Sequence, residues 1–374
     1  MPVTIDRVTC YDVKVPLRRP LADAVYYRTH WHIPVVEVRT SDGLVGTGYS
    51  GVWAGEELIL DAITHYLAEV VIGQDPSQIG SLWRAMYWSP LHWVGRAGVA
   101  HMALGMIDTA LWDIAAQRAG LPLWKLLGGS HATIDTYNTD GGWLNFSLDE
   151  LLADMTAMVD AGWARVKMKV GASPESDLER VRAVRAALPS DVELMVDVNQ
   201  RWDRRCALRM LHPLNELGIG WVEEPLHPDD IAGHAALTNQ AVMPIALGEN
   251  IYSQEHFAAF FAAHAVDIVQ VDVTRVGGVT EWLRIAHLAQ GLGLPVIPHA
   301  GDMMQVHQHL VGGAGSELPR LIEYLPWGLE VFAEPVQVNR GLLTLPQSPG
   351  ASSRIDPVAR ARWASSVCEV GGSA

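Results

Sequence analysis

The rhythm of apolar and polar positions changes near residue 133. Before that point, "TIDRVTCYDVKVPL" and "HIPVVEVRTSDGLVGTGYSG" alternate with period two, and "SDG" is a hairpin turn signal. Helical spacing follows in "EELILDAITHYLAEVVIG" and in "GVAHMALGMIDTALWDIAAQRAG", which stops at a Gly-Leu-Pro break. Strands followed by helices predict a compact α+β domain over residues 1–130. After it, short apolar runs alternate with helical segments. The runs are "TIDTYNTD", "RVKMKV", "VELMVDVN", "GWVEEP", "MPIALGEN", "DIVQVDV", "LPVIPHA" and "RLIEYLP", and segments such as "SLDELLADMTAMVDAG" and "VTEWLRIAHLAQGLG" lie between them. Eight βα units predict an α/β fold of the TIM (β/α) barrel type over residues 131–340. A doubly wound open sheet competes with that reading, but no glycine-rich fingerprint follows the first strand. The last segment, residues 341–374, includes "GLLTLPQSPGASSRIDP"; it is not barrel-like and is expected to pack back on the first domain.

Composition narrows the function. The chain has 374 residues and a formal net charge of -15, which argues against a nucleic-acid partner. Its three cysteines are far apart and fit neither a disulfide framework nor a metal-ligand spacing, so a reducing cytoplasm is the expected compartment. There is no apolar signal core and no run long enough for a membrane span.

One run breaks the pattern. "RVKMKV" reads as a buried strand, yet Lys167 and Lys169 stand two apart and so share a face. Similar polar residues end the other strands: Asp197 and Asn199, Glu223 and Glu224, Glu249, Asp272, His299 and Glu323. From Asp197 to His299 the leading members are 23–27 residues apart, the length of one βα unit, which puts them on one ring at the barrel mouth. Alternation allows at most one of Glu223 and Glu224 to face the centre. So many ionisable groups at one level need something to organise them. Asp197, Glu223 and Glu249 are three hard oxygen ligands without a nearby Cys or paired His, a set suited to Mg²⁺ or Mn²⁺. The two lysines flank that set on one side. Asp272 and His299 flank it on the other, where an Asp can fix the tautomer of a His. The arrangement suits proton abstraction next to a metal-bound carboxylate.

With these residues in place, the chain resembles the enolase superfamily in its mandelate racemase/muconate lactonizing enzyme-like branch. The resemblance rests on "ALGMIDTALWDIAAQRAGLPLWKLLGG" and on "KMK", "DVNQRW", "EEP", "GEN", "DVTRVGG", "PHAGD" and "IEYLP", in that order along nearly the whole chain. It implies that Asp197, Glu223 and Glu249 bind Mg²⁺ and that Lys169 and His299, the latter paired with Asp272, are acid/base groups on opposite faces of the substrate. It also implies that Lys167 touches the substrate carboxylate and eases deprotonation of Lys169, that Glu323 bonds an oxygen of the enediolate, and that Asn199 contacts the metal shell or the substrate. A capping domain with substrate-choosing loops at "ADAVYYRTHWH" and "GTGYSGVWAG" comes with the family, as does a homo-oligomer.

The same groups serve three reactions: dehydration of a sugar acid, cycloisomerisation of an anhydro sugar acid, and racemisation or epimerisation of a 2-hydroxy acid. "NTDGGWLNFS" and "PHAGDMMQVHQH" resemble acid-sugar dehydratases, and the polar set His30, His32, Asn199, Arg201, Asp302 and Gln305 suits a polyol, with His32, Asn199 and Gln305 as substrate contacts. The reading that follows is a Mg²⁺-dependent dehydratase of an aldonate-type sugar acid. A non-catalytic sugar-acid-binding barrel is the alternative from outside enzymology.

Overall fold

In the computed structural model, residues 2–299, 304–313 and 321–372 are described. Near the N-terminus, strands Ile5–Ala22, Tyr27–Thr40 and Val45–Tyr49 form an antiparallel sheet, with Gly43 (φ 93°) at the predicted turn. The alternation has an unexpected outcome, because both faces are buried. Val8, Cys10, Val36 and Val38 face the helices, while Tyr11, Val13, Trp31, Ile33 and Val35 belong to the core shared with the barrel. The sheet is therefore a middle layer between helices and barrel.

Helix Val99–Ala119 lies against the strand Val45–Tyr49 and ends at Gly120 in the left-handed conformation. The approach is close enough to need glycine. A Cβ at Gly48 would lie 1.8 Å from the Met106 carbonyl oxygen, and one at Gly46 2.0 Å from that of Ala110. Backbone cannot yield as a side-chain tip can, so Gly48→Ala is expected to destabilise the protein by about 1–3 kcal/mol. Thermal unfolding measures it; an unchanged Tm would contradict this packing. The helix also fixes its neighbours. Asp108 accepts from the backbone N–H and hydroxyl of Thr280 (2.8 and 2.6 Å), and Asp113 accepts from the Thr47 and Ala351 backbone N–H groups (3.0 and 2.7 Å).

The chain belongs to the α/β barrel class expected from its repeats. Parallel strands Thr133–Asn138, Arg165–Lys169, Glu193–Asp197, Ile219–Glu223, Ile245–Leu247 and Ile268–Val269 pair in order, and Leu321–Tyr324 pairs back on the first. Helices Leu148–Asp160, Pro174–Ala187, Arg204–Glu216, Ile231–Thr238, Gln254–Ala262 and Val279–Gly291 lie between successive strands. Several begin on the side-chain caps that the sequence supplies, such as Ser147 with Glu150 and Asp203 with Cys206. The late strands are shorter than expected. The sixth ends at Val269, and the seventh is a single bridge from Val296 to Val269. Pro295 and Pro298 lack the donor a ladder needs, and Asp272 turns back to bond the N–H of Thr274 (2.8 Å).

The expectation that everything after residue 341 packs on the first domain is corrected at its start. Leu342–Thr344 pairs antiparallel with the first barrel strand, with Leu343 fully buried. It follows a hairpin through Arg340 (φ 49°) and Gly341 (φ 76°), the two left-handed positions of a tight turn. Only beyond it does the chain reach the N-terminal sheet, through Ser353 to Thr47 and through Cys368–Gly371, which pairs with Ile5–Ala22. Among the described residues no helix is long and apolar enough to cross a membrane.

Candidate active site

Register gathers the polar residues. Lys169 is the direct neighbour of Asp197 across one ladder, and Asp197 of Glu223 across the next, so the period counted along the sequence becomes one level in the barrel. Val166 and Met168 join the apolar core, while Lys167 and Lys169 turn inward. All of Lys167, Asp197, Glu223, Asp272 and Glu323 are almost wholly excluded from solvent.

Each expected ligand has a lysine or histidine of the site as its counter-charge. Lys169 Nζ lies 2.5 Å from Asp197, Lys167 Nζ 2.7 Å from Glu223, and His299 Nε2 3.0 Å from Glu249. Lys167 also lies 2.8 Å from Glu323, whose oxygen accepts from the Thr139 hydroxyl. His299 Nδ1 meets Asp272 at 2.7 Å, the pairing expected from sequence.

These contacts favour the charged form of both lysines; the easier deprotonation expected of them belongs to the site with a dication bound among the same carboxylates. Burial opposes the charge on Lys167, but Glu223, Glu323 and Asp197 together outweigh it and hold the ammonium well above the ordinary lysine range. Lys169 is likewise raised: burial again opposes, and Asp197 leads the groups that overcome it. Proximity of the two lysines is the weaker effect because carboxylates stand closer. His299 is also held well above its ordinary value: burial opposes its charge, but Glu249 and Asp272 prevail. Burial works against Glu323 too, yet Lys167 and His299 carry its carboxyl down to about 2.

The Glu-Glu pair departs from simple alternation. Glu223 points into the barrel, accepting from Gln270 (2.7 Å) and Trp221 (3.2 Å) besides Lys167, and burial lifts it to about 7 against the pull of that lysine. Glu224 sits at φ 41°, which breaks the strand geometry and brings its carboxylate to the same mouth. It accepts from Asn250 (2.9 Å), which also bonds Glu249, and from Gln200 (3.0 Å). Burial, then the charges of Glu249 and Asp197, hold it well above the carboxylate range. Asp197, Glu223 and Glu249 are accordingly not drawn together as a trio: among the described residues, only Asp12, His32 and Glu56 place three ligand atoms within 4.8 Å of one another. The oxygens that could hold a cation at the mouth come from Asp197, Glu249 and the Glu-Glu pair, joined by Asn199 Oδ1, which is buried without a partner. An all-oxygen, anionic set with an unsatisfied amide oxygen fits a hard divalent ion such as Mg²⁺.

A cavity opens above these groups, lined by Lys169, Asn199, Glu249, His299 and Glu323. It also takes in Asp23, Trp53, Trp143, Arg275, Leu325 and Trp327, none of which the sequence reading singled out. The tryptophans form a cluster, with Trp327 5.1 Å from Trp53 and 5.0 Å from Trp143, and they come from three distant segments. Lys167, tied to Glu223 and Glu323, does not line it, and two more of the expected substrate contacts lie elsewhere. His32 is held by Asp12 (2.7 Å) and Glu56 (3.1 Å), and buried Gln305 receives the amide of Gln308 within the helix Met304–Gly313. Neither lines this cavity, because both are engaged inside the capping layer or a helix. Asp302 lies outside the described residues.

Two family models match the chain. Residues 5–128 match the mandelate racemase/muconate lactonizing enzyme N-terminal domain, and residues 150–359 the enolase C-terminal domain-like family. The chain belongs to the mandelate racemase/muconate lactonizing enzyme branch of the enolase superfamily. It is 36% identical to L-talarate/galactarate dehydratase of Salmonella typhimurium over 96% of this chain and 90% of that one. A crystal structure of that dehydratase, liganded with Mg and L-lyxarohydroxamate, superposes with a TM-score of 0.92 at 35% identity, over 99% of this chain and 95% of that one. Identity is 35% with arabinonate dehydratase of Saccharolobus solfataricus (85% of this chain, 87% of that one). It is 32% with 3,6-anhydro-alpha-L-galactonate cycloisomerase of Streptomyces coelicolor (94% and 97%). The branch thus includes both sugar-acid dehydratases and a cycloisomerase.

Proposed function

We propose that this member of the family is a Mg²⁺-dependent sugar-acid dehydratase that converts an aldonate-type acid to its 2-keto-3-deoxy product. The observation that carries the reading is that Lys169 and His299, the latter held by Asp272, line one cavity from different strand ends, which would give proton transfer two faces. Asp197, Glu249, the Glu223–Glu224 pair and Asn199 are the residues that would hold the ion. An ion held there would supply positive charge to a substrate carboxylate losing its α-proton and to Asp197 when Lys169 is neutral.

Lys169 removes the C2 proton in its neutral form. His299, held as an imidazolium by Glu249 and Asp272, has the proton that the departing 3-hydroxyl needs to leave as water. A substrate of opposite C2 configuration exchanges these roles. Lys167 keeps Glu323 charged and holds Glu223 and Glu323 in place, and the three tryptophans exclude water from the reacting carbons. Asp272→Asn removes the anion from His299 Nδ1 and is expected to lower kcat by about 10²–10⁴-fold with little change in KM. Steady-state kinetics measure it; an unaltered kcat would remove Asp272 from this role.

The proposal is tested by incubating the protein with a library of aldonates and aldarates and assaying keto-acid formation with Mg²⁺ and after chelation. Turnover of at least one acid, lost on chelation and restored by Mg²⁺, is expected. If no acid yields a keto product or loses its α-proton despite metal binding, the enzyme reading fails and a sugar-acid-binding barrel stands instead. The 32% identity with a cycloisomerase supports one second reading, distinguished by a product that retains the water.

A further inference from the structure

Asp12, His32 and Glu56 lie on three different elements of the N-terminal domain: the first strand, the second strand and the first turn of helix Glu56–Ala62. His32 Nδ1 is 2.7 Å from Asp12 Oδ2 and 3.1 Å from Glu56 Oε1. One ring nitrogen carries at most one proton, so it cannot bond both carboxylates well. Among the described residues neither carboxylate has a lysine or arginine partner, and the two repel: burial and the charge of Glu56 both raise the Asp12 carboxyl, against the hydrogen bond from His32. Asp12 is 95% buried, and beyond the pull of the Val13 backbone N–H on its carboxyl, its second oxygen, Oδ1, has no well-formed hydrogen bond among the described residues. An unpaired oxygen on a buried carboxylate is costly unless a cation takes it up. A tetrahedral zinc shell with bonds of about 2.1 Å sets its ligand atoms about 3.4 Å apart, so the His32–Glu56 spacing is close to that of such a shell and the His32–Asp12 pair would open slightly on binding.

We propose that Asp12, His32 and Glu56 form a second cation site, separate from the barrel mouth and selective for a Zn²⁺-class ion over Mg²⁺. The imidazole sets the preference, because Mg²⁺ favours oxygen donors throughout while zinc accepts one nitrogen and two carboxylates readily. Asp12 is the buried anchor. His32 and Glu56 are partly exposed and leave room for water to complete the shell.

The position gives the ion a task. The His32 backbone exchanges two hydrogen bonds with Val52 (3.1 and 3.0 Å), and its neighbour Trp31 packs edge-on against Trp53 at 4.1 Å. Trp53 lines the catalytic cavity. An ion here joins the roots of both segments that carry the cavity's outer wall, so occupancy steadies that wall without touching substrate.

The test titrates the full-length protein, saturated with Mg²⁺, with Zn²⁺ by isothermal calorimetry, alongside Glu56→Gln, Asp12→Asn and His32→Gln. Circular dichroism checks that each variant folds. One Zn²⁺ per chain is expected at saturating Mg²⁺, with a raised Tm, and with binding about tenfold or more weaker in every folded variant. X-ray absorption at the zinc edge of the wild-type protein, which needs no variant, is expected to show one imidazole with oxygen donors. Absence of Zn²⁺ binding would mean that His32 is only a bridge between two carboxylates, and it overturns the proposal. Zn²⁺ that binds equally well to Glu56→Gln and His32→Gln sits at the mouth instead, and overturns it too.

Discussion

Lys169→Ala is expected to lower sugar-acid turnover by about 10²–10⁴-fold while the protein stays folded and still binds Mg²⁺. The lysine is the group nearest Asp197, and it lines the cavity with His299 on another strand, so it is placed to move a proton rather than to bind the rest of the polyol. Its loss leaves Asp197 without its closest cation; the more distant Lys167 at 3.8 Å and the bound ion remain. Calorimetric titration with Mg²⁺ together with kcat separates the two roles. Bound metal with lost turnover identifies the acid/base group. Full activity would refute it.

His299→Asn is expected to be as damaging to keto-acid formation, by about 10²–10⁴-fold, for a different reason. Asparagine can still donate a hydrogen bond to Asp272 but offers no acidic proton to a leaving hydroxyl. Glu249 also loses the cation 3.0 Å away, so Mg²⁺ affinity is measured alongside the rate. A variant with normal Mg²⁺ binding and wild-type keto-acid formation would leave His299 without a role as the acid.

Much of this site was legible because a barrel converts sequence period into position. The intervals between Asp197, Glu223, Glu249, Asp272 and His299 needed only strand counting, and the ladder confirms that Lys169, Asp197 and Glu223 lie side by side. The pairing of His299 with Asp272 followed from adjacent strand ends. What alternation could not show was Glu224, because its inward turn depends on a left-handed backbone angle at a non-glycine residue. Nor could local pattern show the Trp53–Trp143–Trp327 cluster, since its members are assembled by tertiary packing from segments far apart in sequence. His32 misled for a related reason: a polar residue in a mouth loop looks the same in sequence whether it faces substrate or is tied to Asp12 and Glu56. The lysine charge turns on contacts that the sequence does not rank: it shows which groups are neighbours but not which stand closest, and here the carboxylates stand closest.

In the proposed mechanism Lys169 removes the C2 proton and His299 completes the loss of water as a separate step. Proton NMR of an accepted sugar acid in D₂O, with Mg²⁺ and the His299→Asn protein, tests it most directly. The account predicts that the C2 proton signal fades as solvent deuterium replaces it while no keto acid accumulates. A C2 signal that persists undiminished in this variant, but fades with Lys169→Ala, would contradict the assignment.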